Sequence, residues 1–222
     1  MLVDGKWEGP IVDQHMHLDR ENRFISAAEE FSRSGGTEIF LVHKPSFSKS
    51  LPTDLNGYRE VYRDTIKMAE SVREKTELKV NVVLGPHPVV WDIQANDIGV
   101  KASSELHISA VGLALDMIEE GEAVCLGEVG RPHYPVSEDR WTEANDLLLE
   151  IMRMASTSNS PVQLHVEENG NQTCKDIARL CNRSGLPKKR TIRHFAPSDI
   201  SDQRTSGLPV TVSMGKGSVE GV

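Results

Sequence analysis

Ile11-Val12-Asp13-Gln14-His15-Met16-His17-Leu18-Asp19 is the stretch from which the rest of the chain can be organised. Gly9 and Pro10 punctuate its start, and Ile11 and Val12 give it a β-prone entry. Side chains alternate faces along a strand, so His15 and His17 share one face and Met16 takes the other. Two imidazoles side by side make a poor apolar core, because each carries a donor and an acceptor that must be matched. They suit half of a metal site.

Outward from that strand, periodicity alternates. Phe24, Ala27, Ala28 and Phe31 follow helical spacing up to Gly35-Gly36, and Thr37 to Pro45 reads as a second, buried strand. Residues 54–75 form a long amphipathic helix, and Lys79 to Leu84 a third strand ending in Gly85-Pro86-His87-Pro88. A helix is expected from about Ser104 to Glu120, then a fourth strand over Ala123 to Gly130 and a helix capped by Ser137. Val162 to Val166 is the fifth strand, followed by a helix around Thr173 to Asn182 that stops at Gly185. Thr191 to Phe195 is the sixth strand, a short helix lies near Ser198 to Arg204, and Val210 to Gly215 is the seventh. Strand-then-helix repetition in one direction implies an α/β fold with a parallel sheet and right-handed crossovers. No glycine-rich phosphate loop follows the first strand, so a TIM-type (β/α) barrel is expected over a doubly wound sheet. Seven units do not close an eight-stranded barrel, and the eighth is expected to be missing.

Composition bounds the rest. At 222 residues, with 38% hydrophobic and 26% charged content, this is an ordinary globular composition, and one domain over 1–222 is expected. No apolar run approaches a membrane span, and the first eight residues lack a signal-peptide core. Cys125, Cys174 and Cys181 lack paired spacing, which points to reduced thiols and a cytoplasmic setting. A net charge of −8 argues against a tight, unspecific grip on long duplex DNA.

Active sites of such barrels lie at the C-terminal ends of the strands. Six of the eight histidines fall there: His15, His17, His43, His87, His165 and His194. His107 is placed on a helix and His133 in a loop. Glu128, between glycines at a strand end, needs a positive partner. Imidazoles and one carboxylate on different strands can hold two divalent cations bridged by the carboxylate.

These motifs resemble the TatD-like metal-dependent hydrolases of the amidohydrolase superfamily. Asp13 to Asp19 is similar to that family's opening motif, Gly85-Pro86-His87-Pro88 to its third-strand motif and Gly127-Glu128-Val129-Gly130 to its fourth. Leu164-His165 and Arg193-His194-Phe195 match the fifth and sixth strands. The resemblance implies that His15 and His17 bind one metal, His165 and His194 the other, and that Glu128 bridges them as the catalytic carboxylate. It implies two divalent ions: zinc, magnesium or manganese. Asp13 is expected to orient a ligand histidine through its ring N–H. Two departures stand out. Gly130-Arg131-Pro132 replaces the family's Gly-Leu-Asp, and the family's final metal-binding aspartate lies on a strand beyond this sequence. The chain is therefore expected to be a truncated form of a longer protein.

Lys44, His87, Arg131 and Lys216 are the groups expected to hold an anionic substrate. Trp91, in the loop after the third strand, could stack on a base or simply pack that loop. Lys188-Lys189-Arg190 precedes the sixth strand and lies on the far face. The expected function is metal-dependent hydrolysis of phosphodiesters, a TatD-like deoxyribonuclease acting on a small anionic substrate or short single-stranded DNA, with no membrane or obligate protein partner. Cleavage of an amide, lactone or phosphotriester is the alternative within enzymes. A metal-binding barrel acting as a binding protein, without strong catalysis, is the alternative outside them.

Overall fold

A computed structural model of the chain describes residues 2–4, 6–47 and 50–213. A short antiparallel hairpin, β1 (Leu2–Val3) and β2 (Lys6–Trp7), precedes the repeating pattern. Then follow β3 (Val12–Met16), α1 (Phe24–Arg33), β4 (Glu38–Val42), α2 (Leu55–Lys75), β5 (Lys79–Leu84), α3 (Pro88–Ile98) and α4 (Val100–Glu119). The chain continues through β6 (Cys125–Gly130), α5 (Glu138–Thr157), β7 (Val162–His165), α6 (Gly170–Ser184), a 3₁₀ turn (Lys188–Arg190), β8 (Thr191–Arg193) and α7 (Asp202–Thr205). The first six expected strands are therefore β3 to β8. They form one parallel sheet in the order β3-β4-β5-β6-β7-β8.

The sheet is curled. The Gln163 amide on β7 donates to the Gln14 carbonyl on β3 at 3.1 Å and to the Gln14 Oε1 at 3.0 Å. Strands at opposite sides of a flat sheet could not meet in this way. The expected seventh strand is only partly formed: among the described residues it is a parallel bridge between Arg193 and Val210. Met214 and Gly215 fall outside the described residues, so seven full units are not what the structure shows.

Apolar strand residues fill the core. Ile39, Leu41, Val82, Leu84, Leu126, Val162 and Leu164 are buried with Tyr62, Val111, Leu148, Ile151 and Ile177 of the helices. Each such side chain contributes about 1.5–3 kcal/mol of burial. Asp54 caps α2 by accepting the Gly57 N–H at 2.8 Å, and Ser137 caps α5 by accepting that of Arg140 at 3.2 Å. Close backbone approach sets the glycines of β6. A Cβ on Gly130 would stand 1.8 Å from the His165 carbonyl oxygen, and one on Gly127 2.8 Å from the Gln163 Cβ. Only glycine lets β6 and β7 come together behind Glu128.

Helix α3 corrects the expectation of a loop after the third strand. Its apolar run, Val89-Val90-Trp91, shows little one-sided pattern because most of the helix is buried. Pro88 opens it, and the His87 ring caps it by accepting the Val89 N–H at 3.2 Å. Trp91 is buried, donates to the Ser104 Oγ at 3.0 Å and lies under the Arg140 guanidinium. It packs α3 against α4 and is not available to stack on a base.

His107, within α4, is buried with neither ring nitrogen hydrogen-bonded, and burial pushes its pKa down to about 3. Its pKa in the unfolded chain is about 6.5, so only the unfolded chain takes up this proton between those values. The contribution of neutral His107 is fully present above pH 6.5 and is lost as pH falls toward 3. His107→Leu should flatten the acid side of the stability profile by up to about 1.4 kcal/mol per pH unit. Urea unfolding of metal-free protein from pH 7 to pH 4 checks this. Parallel profiles for the two proteins would mean that His107 is hydrated or paired.

Candidate metal centre

Glu128 sits at the C-terminal end of β6, 2% exposed, and imidazoles from four other strand ends converge on it. His165 Nδ1 lies 3.0 Å from Oε1, and His15 Nε2 and His17 Nε2 lie 3.4 Å from Oε1 and Oε2. His87 Nε2 and His194 Nε2 are each 3.7 Å away. All five expected histidines and the carboxylate are thus brought together. His43 is not among them: it is buried, with its Nδ1 3.0 Å from the Thr65 hydroxyl.

The tighter groupings differ from the expected pairing. His15, Glu128 and His194 form one set of convergent donor atoms, and His87, Glu128 and His165 the other. The His15 and His194 rings stack at 3.4 Å because curling of the sheet brings its first and last strands face to face. His17 joins the first set, with its Nε2 3.1 Å from that of His15.

Burial pushes the pKa of His15 and His87 down to about 3 and that of His194 to about 4. These rings are neutral at pH 7, as a metal ligand must be. Burial alone would push the Glu128 carboxyl up. The imidazoles of His165, His17, His15 and His87 packed around it outweigh that effect and hold the group well below the usual carboxylate range. A buried carboxylate among neutral imidazoles whose nitrogens point at one another is a donor set that fits a divalent cation.

The outer hydrogen bonds sort the rings. His17 Nδ1 donates to the Val42 carbonyl at 3.0 Å, which leaves Nε2 with a free lone pair toward Glu128. His194 Nδ1 lies 3.3 Å from the Thr211 hydroxyl. His87 is different. Its Nδ1 accepts the Val89 N–H, so its Nε2 carries the proton. That ring is set to donate into the site, the pattern of a substrate-binding group.

Asp13 corrects an expectation. Its carboxylate accepts the backbone N–H of His15 at 2.9 Å instead of a ring N–H, at the irregularity in register between Asp13 and Met16 of β3. It fixes the backbone from which His15 projects. Arg131 is a second correction. It is 2% exposed and clamped to both Glu167 oxygens at 2.7 and 2.5 Å and to Asn145 at 2.6 Å, with its guanidinium over Trp141. A buried guanidinium needs such partners, so none of it is left at the rim for substrate. Lys44 does stand at the rim, paired with Asp19 at 2.9 Å. Lys216 lies outside the described residues.

His133 was expected to be a bystander in the loop between β6 and α5. The structure instead puts its Nδ1 2.7 Å from the His165 Nε2. The available signal was local: it lies five residues beyond Glu128 in a short loop stiffened by Pro132 and Pro135. A groove of about 750 Å³ opens beside it, lined by Tyr134, Trp141, Glu138, Glu167 and Asp176. Phe47 and Phe195 are more than half exposed, and their rings lie 6.3 Å from His87 and 6.0 Å from His194.

A curled parallel sheet that presents imidazoles and one carboxylate at its strand ends defines a candidate metal centre. A model of the family described as TatD related DNase matches residues 12–218, and the chain belongs to that family. An uncharacterized protein of Methanocaldococcus jannaschii is 24% identical over 202 residues, covering 90% of this chain and 70% of the relative. Among solved structures, an uncharacterized amidohydrolase from Saccharomyces cerevisiae is similar with a TM-score of 0.53 at 12% identity, over 84% of this chain and 61% of that one. A phosphotriesterase homology protein from Escherichia coli, complexed with phosphate in its active site, is similar with a TM-score of 0.50 at 12% identity, over 86% of this chain and 63% of that one. These two likenesses speak for the barrel-type fold alone. The chain spans about three-fifths of the length of both structures. Family and donor set together support the use of divalent metal.

Proposed function

We propose that the protein hydrolyses phosphodiester bonds with two divalent cations held by the histidines around Glu128, as a TatD-like deoxyribonuclease acting on short or single-stranded DNA. The observation that carries this reading is the buried Glu128 carboxylate encircled by imidazoles from β3, β5, β7 and β8. His15, His17, His165 and His194 would hold the ions together with Glu128. Bound there, such ions lower the pKa of a coordinated water and stabilise charge on the attacked phosphorus. The chain's own residues do the rest. His87 donates its Nε2–H toward a non-bridging oxygen of the substrate, and α3 holds the ring in that tautomer. Lys44 offers a cation to a neighbouring phosphate, and Phe47 and Phe195 give unpaired bases a face on which to stack.

Acidic lining of the groove beside His133 bears on how a substrate lies. Glu138 and Asp176 would repel a continuing phosphate backbone, so a strand would run across the Lys44 and Phe47 side and the groove would take an uncharged portion. The test is metal analysis of purified protein, followed by nitrophenyl phosphodiesters, phosphotriesters, lactones and single-stranded oligonucleotides at matched concentration. Metal-dependent turnover of diesters and oligonucleotides above the other classes is expected. Preferential turnover of lactones or triesters would move the assignment to those substrates, and metal binding without any turnover would leave a binding protein.

Among the described residues few cations face the site, so binding of a short oligonucleotide should depend only weakly on salt. A slope of log K against log [salt] no steeper than about −2 is expected for single strands. A steep slope with long duplex DNA would reveal a basic track that the described surface does not carry.

A further inference from the structure

The β6–α5 loop carries a histidine that touches the centre without belonging to its inner ring of donors. His165 stands between two groups: its Nδ1 is 3.0 Å from Glu128 Oε1 and its Nε2 is 2.7 Å from His133 Nδ1. The loop is anchored. Tyr134 donates its hydroxyl to Asp92 on α3 at 2.6 Å, and the His133 and Tyr134 rings meet edge to face at 5.2 Å. His133 is itself exposed, on the wall of the groove.

We propose that His133 is a positioning residue that commits His165 to metal through Nδ1. This rests on the reading of His165 as a ligand given above. A ring nitrogen can ligate only with its lone pair free, and a neutral imidazole carries one proton. With Nδ1 facing the ion, the proton of His165 resides on Nε2 and needs an acceptor. His133 Nδ1 is that acceptor, and His133 then keeps its own proton on Nε2, facing the groove. Partners of this kind fix ring orientation and raise ligand basicity, and losing one costs roughly 10- to 100-fold in metal affinity. Val42 serves His17 in the same way through its carbonyl.

The experiment uses zinc titrated into the chelator-treated chain in competition with a fluorescent chelator, together with long-range ¹H–¹⁵N spectra of the histidine rings in the zinc-loaded protein. Wild type should show His165 as the Nε2–H tautomer. His133→Ala should bind the same number of zinc ions with affinity lower by about 10- to 100-fold. His133→Asn, whose side-chain oxygen can accept the same hydrogen bond, should recover most of the loss. An unchanged affinity in His133→Ala would overturn the proposal. So would the Nδ1–H tautomer in loaded wild type, and so would loss of one zinc ion that Asn does not restore, since His133 would then be a ligand itself. If wild type binds no zinc, the metal reading falls and this proposal with it. Far-ultraviolet circular dichroism of the metal-free variants confirms that an exposed loop side chain has been changed without disturbing the fold.

Discussion

Glu128→Gln should lower the proposed metal-dependent hydrolysis by about three powers of ten, while the chain stays folded. The carboxylate carries the negative charge on which the imidazoles converge, and the amide keeps its shape while removing that charge. Stabilisation of transition-state charge by metal is worth several kcal/mol, and about 4 kcal/mol corresponds to a thousandfold. The amide also leaves a poor ligand in place of the shared one, so zinc binding should fall together with rate. Steady-state rates on a nitrophenyl phosphodiester and zinc titration of both proteins check the two effects. A variant that keeps the wild-type rate at saturating zinc would show that Glu128 is not the shared ligand.

The second large effect is on stability. Arg131→Ala strips Glu167 of its bidentate partner and leaves Asn145 without its acceptor role, all around a side chain that is 2% exposed. Removing one member of a buried pair costs about 3–5 kcal/mol, because the remaining charge is stranded. Glu167 retains some access to water, so about 3 kcal/mol is expected. Arg131→Met combined with Glu167→Gln should recover much of the loss, since neither charge is then left unpaired. Urea unfolding of the metal-free proteins measures all three. A loss under 1 kcal/mol for Arg131→Ala would mean that the pair is not a clamp between the ends of β6 and β7.

What could be read from the chain alone followed from local pattern. The β-branched runs at Lys79 to Leu84 and Val162 to Val166, and the helical spacing of Tyr58, Tyr62, Ile66 and Ala69, need no knowledge of neighbours. The same regularity placed His15, His17, His87, Glu128, His165 and His194 at one end of the sheet. What could not be read depends on tertiary partners. Arg131 looks like a rim cation until Glu167, 36 positions away, is found against it. Helix α3 hides because burial on most sides erases its amphipathic stripe. His133 reaches the centre through the path of a loop, which spacing does not encode.

Curling of the sheet has a consequence for how this protein comes to be. Gln14 and Gln163, 149 positions apart, are hydrogen-bonded, and His15 stacks on His194. Contacts of such long sequence separation form late and slow the search for the native state. The ligand set therefore exists only once the earliest and latest strands have met, and a half-made chain has nothing comparable to offer a cation. An ion that recognises only the finished arrangement adds to its stability by mass action, about 4 kcal/mol at a thousand times its dissociation constant. Metal supply should thus show up in protein lifetime as well as in rate: the chelated form should melt earlier and be cleaved sooner by a probe protease.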